Sequence, residues 1–177
     1  MGHLTNISAK WTMGNIGDLT TPTSTQQYVL GDVLTFSDSD YTAVKKYMYV
    51  KSHTALTAYQ PYAIAYGSTA GAEVVTAAPL TIAAPGAYVC VPQVAFTSGY
   101  YGWVLIQGDG KALMTSETYI VGDMLQLVTT GTTLVVDGTS GNSPISANTC
   151  AVCKEAGSTA VARKMMLIGQ MAVIAAS

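Results

Sequence analysis

Charge is scarce in this chain. Asp, Glu, Lys and Arg make up 10% of its 177 residues, where a soluble domain usually carries about 25%. Hydrophobic residues reach 49% and the mean hydropathy is +0.32. That combination excludes disorder, which needs low hydrophobicity and high net charge. It also excludes a coiled coil, which would be rich in Glu, Lys and Leu. Only eight residues are basic, and the sole arginine is Arg163. With a formal charge of −2 and a pI near 5.5, the basic footprint of a nucleic-acid binder is missing, so no nucleic-acid partner is expected.

Cysteine, long apolar runs and helical periodicity are also in short supply. Cys90, Cys150 and Cys153 are three in number, and an odd count is no disulfide framework. Reduced thiols and synthesis in a cytoplasm are expected. The longest apolar stretch, Met165 to Ala176, is broken by Gly169 and Gln170. It falls short of the roughly 20 residues of a membrane helix, so no membrane partner is expected. The first residues show no charged segment followed by an apolar run, so no secretory signal is expected. No window places apolar residues at three- and four-residue spacing between caps. A short helix near Asp40–Tyr47 competes with an alternation of Val44, Met48 and Val50 against Tyr47, Tyr49 and Lys51, which favours a strand.

What remains is the pattern of a β protein. Short runs rich in Val, Ile, Thr and Tyr alternate with Gly-containing turns. The runs are Tyr28–Phe36, Lys46–Lys51, Tyr62–Ala65, Glu73–Ala77, Tyr88–Phe96, Tyr101–Gln107, Ala112–Thr115, Met124–Val128, Thr133–Val136, Thr149–Cys153 and Lys164–Val173. They predict a mostly-β domain over residues 28–177, a small barrel or sandwich. Gly108-Asp-Gly110 reads as a turn between two of the strands. Residues 1–27 have no sustained period and are rich in Thr and Ser. They read as an extended N-terminal arm, with Trp11, Met13 and Ile16 as apolar anchors for a strap on a neighbour.

Tyr28-Val-Leu-Gly31-Asp32-Val-Leu34-Thr-Phe36 is echoed by Tyr119-Ile-Val-Gly122-Asp123-Met-Leu125-Gln-Leu127, with four of nine positions identical. Gly-Asp inside an apolar run fits a tight turn or bulge. Two unrelated β-turn-β units would explain the echo, and so would two related halves of one domain.

Chemistry-bearing motifs are weak. Cys150-Ala-Val-Cys153 lacks the second pair of ligands that a structural zinc needs. On a strand, its two thiols point to opposite faces. His53 has no triad context, and no G-x-S-x-G elbow occurs. Asp32, Asp109, Asp123 and Asp137 each adjoin a glycine and read as turn residues. Asp38-Ser-Asp40 and the Asp137–Asn142 segment lack the bidentate acid of a calcium loop. No cofactor, metal or catalytic activity is expected. Tyrosine stands out instead, with 11 residues against two Phe and two Trp. Tyr47, Tyr49, Tyr59, Tyr62 and Tyr66 crowd into one stretch. Tyrosine suits half-buried sheet positions and is also enriched in interfaces. Together with Trp11, Met13 and Ile16, these five form the candidate assembly surface.

One resemblance rests on particular residues. Tyr100-Tyr-Gly-Trp-Val-Leu-Ile-Gln-Gly-Asp-Gly-Lys-Ala-Leu-Met114 is followed by Val121-Gly-Asp-Met-Leu125 and Gly131-Thr-Thr-Leu-Val135. Upstream stand Leu30-Gly31 and Tyr47-Met-Tyr-Val-Lys51, and downstream Lys164-Met-Met-Leu-Ile168. This run of turns and strands resembles the capsid decoration (cement) proteins of tailed bacteriophages, over roughly residues 28–170. The resemblance implies a virion protein on the capsid exterior, assembled as a homotrimer or another small symmetric cluster, whose partner is the major capsid protein. Other phage structural roles, in tail, baseplate or host attachment, share such motifs. A small β-barrel ligand-binding module or enzyme is the remaining alternative. The scarcity of charge fits a surface meant to be covered by other subunits.

Overall fold

A computed structural model of the chain describes residues 17–37, 44–66, 73–76, 88–127, 132–137 and 149–168. Ten strands and one helical turn lie among them. The turn is α1 (Gly17–Thr20). The strands are β1 (Val33–Ser37), β2 (Val44–Ser52), β3 (Tyr62–Tyr66), β4 (Glu73–Thr76), β5 (Tyr88–Cys90), β6 (Tyr101–Leu113), β7 (Met124–Leu127), β8 (Leu134–Val136), β9 (Thr149–Cys153) and β10 (Ala162–Leu167). The mostly-β expectation holds. The strands form one hydrogen-bonded path, β5-β3-β4-β2-β6-β10-β9-β7-β8, with β1 added to β2. Among the described residues the path does not close into a barrel.

The long strand β6 organises the molecule. Its first half, Tyr101–Gln107, pairs antiparallel with β2, and its second half, Gly108–Leu113, pairs antiparallel with β10. The switch falls at Gly108, whose φ is +96°. A Cβ there would also collide with the Val44 carbonyl oxygen, so this position needs glycine for both conformation and space. The predicted hairpin turn at Gly108-Asp-Gly110 is therefore corrected. The glycine bends one continuous strand from one sheet partner to the next, as strands do when they change sheets through a bend or bulge. Where β6 has left β2, the Gln93 side chain replaces the missing partner. Its amide donates to the Lys111 carbonyl (3.1 Å), and its Oε1 accepts from the Lys111 N–H (2.9 Å).

Alternation along β2 buries both of its faces. Met48 and Val50 enter a core with Tyr62, Ile64, Phe96 and Val104. Tyr49 enters another with Leu34 and Trp103, flanked by Leu19, Tyr28, Leu30, Tyr47 and Tyr101. A third core, the largest, holds Leu105, Met114, Tyr119, Leu125, Leu134, the thiols of Cys150 and Cys153, and Met165. Each fully buried large apolar side chain contributes about 1.5–3 kcal/mol relative to exposure.

The described part of the arm lies on the body. Thr23 pairs with Tyr101 through two backbone bonds of 2.9 and 2.8 Å. The Gln27 N–H donates to the Tyr49 hydroxyl (3.0 Å). Residues 19–30 therefore roof the aromatic face of β2 and β6. Trp11, Met13 and Ile16 lie outside the described residues.

Candidate binding surfaces

The sequence echo is an echo of backbone geometry. In the first copy the Asp32 N–H donates to the Val29 carbonyl (3.1 Å), and in the second the Asp123 N–H donates to the Ile120 carbonyl (3.2 Å). The third turn residue is Gly31 in one case, at φ +86°, and Gly122 in the other, at φ +101°. A type II turn demands that positive φ. Each turn then grips a neighbouring strand by two bonds. Gly31 N–H donates to the Tyr49 carbonyl (2.8 Å), and Tyr49 N–H to the Asp32 carbonyl (2.9 Å). Gly122 N–H donates to the Cys153 carbonyl (2.9 Å), and Cys153 N–H to the Asp123 carbonyl (2.8 Å).

The correspondence extends to the third strand. Tyr49 faces Trp103 across β2 and β6, as Cys153 faces Met165 across β9 and β10. Two three-stranded antiparallel units result, β1-β2-β6 and β7-β9-β10, joined through β6. Both turns project aliphatic side chains outward: Val29 is 67% exposed, Ile120 62% and Val121 66%. Val33, Val161, Met166 and Ile168 are further exposed apolar side chains. These outward aliphatics were not singled out in the sequence, where Val29, Ile120 and Val121 figured only as part of the apolar runs around the two Gly-Asp pairs.

The expected tyrosine surface divides. Tyr49 and Tyr62 are each 2% exposed, so the structure corrects their placement on an outer face. The Tyr49 ring meets Tyr28 (5.1 Å, edge-on) and Trp103 (5.1 Å). The Tyr62 hydroxyl accepts from the Thr57 N–H (2.8 Å) inside the second core. Tyr47 is half-buried, and burial pushes its phenol pKa up. The Tyr66 side chain lies outside what is described. Tyr59 alone of the set combines partial exposure with an unusual backbone, at φ +66°. That conformation is uncommon for a bulky residue. It is held by the Tyr59 N–H to the Pro92 carbonyl and the Leu113 N–H to the Tyr59 carbonyl, both 2.7 Å.

The other candidates are structural in this fold. All three cysteines are free and buried. Burial, and secondarily Asp137, pushes the Cys150 thiol up to about 12, and burial raises Cys90 further. Such thiols stay protonated and unreactive at neutral pH. Arg163, 6% exposed, donates to the carbonyls of Ala156 (3.2 Å) and Thr159 (3.1 Å) and to the Thr159 hydroxyl (3.0 Å). It braces the loop after β9. A Cβ on Gly157 would collide with its guanidinium. His53 is exposed. Among the described residues no cluster of three or more His, Cys, Asp or Glu could hold a metal, and no helix is long and apolar enough to cross a membrane.

No family model matches the chain, and no curated protein matches it. Among solved structures it is similar to the head fiber gp8.5 N base in bacteriophage phi29. That likeness covers 71% of this chain and 95% of the other, at 15% identity and a TM-score of 0.46. A likeness this distant carries no functional argument.

Proposed function

We propose that this chain is a structural virion protein of a tailed bacteriophage, a decoration protein that binds the outer surface of the head and stabilises the capsid lattice. The observation that carries the reading is the set of exposed aliphatics, with Val29, Ile120 and Val121 turned outward on two equivalent turns. The sequence resemblance to capsid decoration proteins points the same way. Exposed aliphatics on a chain with 10% charged residues suit surfaces that neighbours cover. On this reading the chain acts by binding, without catalysis or cofactor, outside the capsid and away from nucleic acid and membrane. The partners are the major capsid protein and two further copies of the chain. A modest contact with each capsid subunit gains strength because a trimer engages several at once. Trp11, Met13, Ile16, Tyr47, Tyr59 and Tyr66 remain candidates for those contacts.

Quantitative mass spectrometry of purified particles tests the proposal. The chain should occur in proportion to the major capsid protein. Copy numbers matching a tail or baseplate component would overturn it. Removing residues 1–16 should lower head occupancy while leaving the described body intact, and unchanged occupancy would sink the role of the arm as a strap.

A further inference from the structure

A cleft of about 640 Å³ opens where β6 leaves β2 and joins β10. Its walls carry Lys45, Lys111, Lys154 and Lys164, four of the eight basic residues in the chain. Asp109 is the acid in its lining, and its Oδ2 pairs with Lys154 Nζ at 2.6 Å. Four lysines and one aspartate give the cleft a formal +3 in a chain whose total is −2, which leaves −5 for everything else.

The lysines form a row. Lys111 lies directly opposite Lys164 in the β6–β10 register. Lys154 continues the row, its N–H donating to the Lys164 carbonyl (3.0 Å). Like charges directly opposite on neighbouring strands are destabilising. Asp109 offsets Lys154 and the Tyr59 ring takes up Lys111, which leaves the Lys164 ammonium between two other cations as the local cost. Glu155 does not relieve it by pairing with the Lys164 ammonium; its carboxylate accepts from the Lys164 backbone N–H (3.0 Å). Tyr59, held at positive φ, forms another part of the wall, with Lys111 Nζ 5.9 Å from its ring centre.

We propose that this cleft binds an acidic peptide segment of a partner protein, its carboxylates lying along the Lys111–Lys164–Lys154 row. Adjacent strands are about 4.8 Å apart, so the row spans about 9.6 Å. Carboxylates at alternate positions of an extended peptide stand about 6.8 Å apart and fall within that span. Nucleic acid fits less well. Phosphate recognition favours the arginine fork, and Arg163 is buried on its own loop. Stacking of bases wants a free aromatic face, and Lys111 lies over that of Tyr59.

The site is separate from the aliphatic turns, and its test needs no capsid, so its failure leaves the capsid reading standing. The full chain is titrated with a fluorescent peptide of alternating Glu and Thr, with the Gln-Thr peptide as control and oligothymidylate of equal charge as competitor. The Glu peptide should bind, and binding should weaken steeply as salt shortens the screening length. The double variant Lys111→Gln, Lys164→Gln should bind roughly tenfold more weakly while melting at the same temperature or higher. Unchanged affinity in the variant, equal binding of the Gln peptide, or tighter binding of the oligonucleotide would each overturn the proposal. A lower melting temperature in the variant would overturn it too, by giving the lysines a structural role.

Discussion

The two Gly-Asp units share one backbone plan but fill it with different side chains. In the first, the positions that face one another belong to Tyr28, Tyr49 and Trp103, a cluster of rings 5.1 to 5.3 Å apart. In the second they belong to Tyr119, Cys153 and Met165, all within the largest core. The first cluster sits at the margin and needs a roof, which residues 19–30 provide. The second is buried throughout, with Tyr119 at 1% exposure and Cys153 and Met165 at 0%. Tyr119 even satisfies its hydroxyl inside, with Thr115 at 2.8 Å and the Leu134 carbonyl at 3.1 Å. The turn thus specifies how an edge strand docks, while the burial of the docked unit depends on what else the chain folds over it.

The widest separation between the units should come from their tyrosines. Tyr119→Ala removes a fully enclosed ring and should cost about 3–5 kcal/mol in urea unfolding. Tyr28→Ala removes a half-exposed ring and should cost about 1–2 kcal/mol. Equal losses would break the comparison. Next comes the roof. Removing residues 1–27 takes away Leu19 and the two Thr23 backbone bonds, and should cost roughly 2–3 kcal/mol. Trp103 is then the remaining tryptophan, so its emission should shift to the red. A blue, unshifted emission would mean that the aromatic face closes without its roof.

How much of this could be read in the sequence follows from what is local and what is not. Thr149–Cys153 is a strand with the boundaries read from the sequence. The paired Gly-Asp turns were visible as an echo because a type II turn is a four-residue decision. Their grip on Tyr49 and Cys153 was not visible, since those partners are remote in sequence. Gly108-Asp-Gly110 misled for the same reason. A glycine at positive φ looks alike in sequence whether the chain reverses or merely bends, and β10 and Gln93 decide which. Alternation showed that Tyr47 and Tyr49 share a face of β2, but not that residues 19–30 cover it. The lysine cleft assembles positions 45, 111, 154 and 164 from four strands or their ends, and no spacing rule connects them.

The turns themselves should respond alike, which sharpens the claim that only their fillings differ. No atom lies within 4 Å of a Cβ built on Gly122, so Gly122→Ala carries the cost of left-handed backbone alone, about 1–2 kcal/mol. Gly31→Ala should cost the same. Asn at either position should cost less, because it tolerates positive φ. A twofold difference between the two alanine variants would show that the turns are not equivalent.

The smallest effect at neutral pH should come from the thiol that only the second unit holds. Cys150→Ala should cost about 1 kcal/mol or less at pH 7. Its signature lies in alkali. In the folded chain the Cys150 pKa is raised from 9.0 to about 12. The neutral thiol is thus favoured by folding, and its contribution is fully present below about pH 9. Above that the unfolded chain loses its proton while the folded chain keeps it. Stability then falls as pH rises towards 12, by at most about 1.4 kcal/mol per pH unit for one group. Cys90, raised in the same direction, acts equally in both proteins and cancels in the difference. The wild-type chain should therefore lose stability more steeply than Cys150→Ala between pH 9 and 11 in urea titrations. Parallel curves would mean that water reaches the second core, and that the two units are closed to a similar degree.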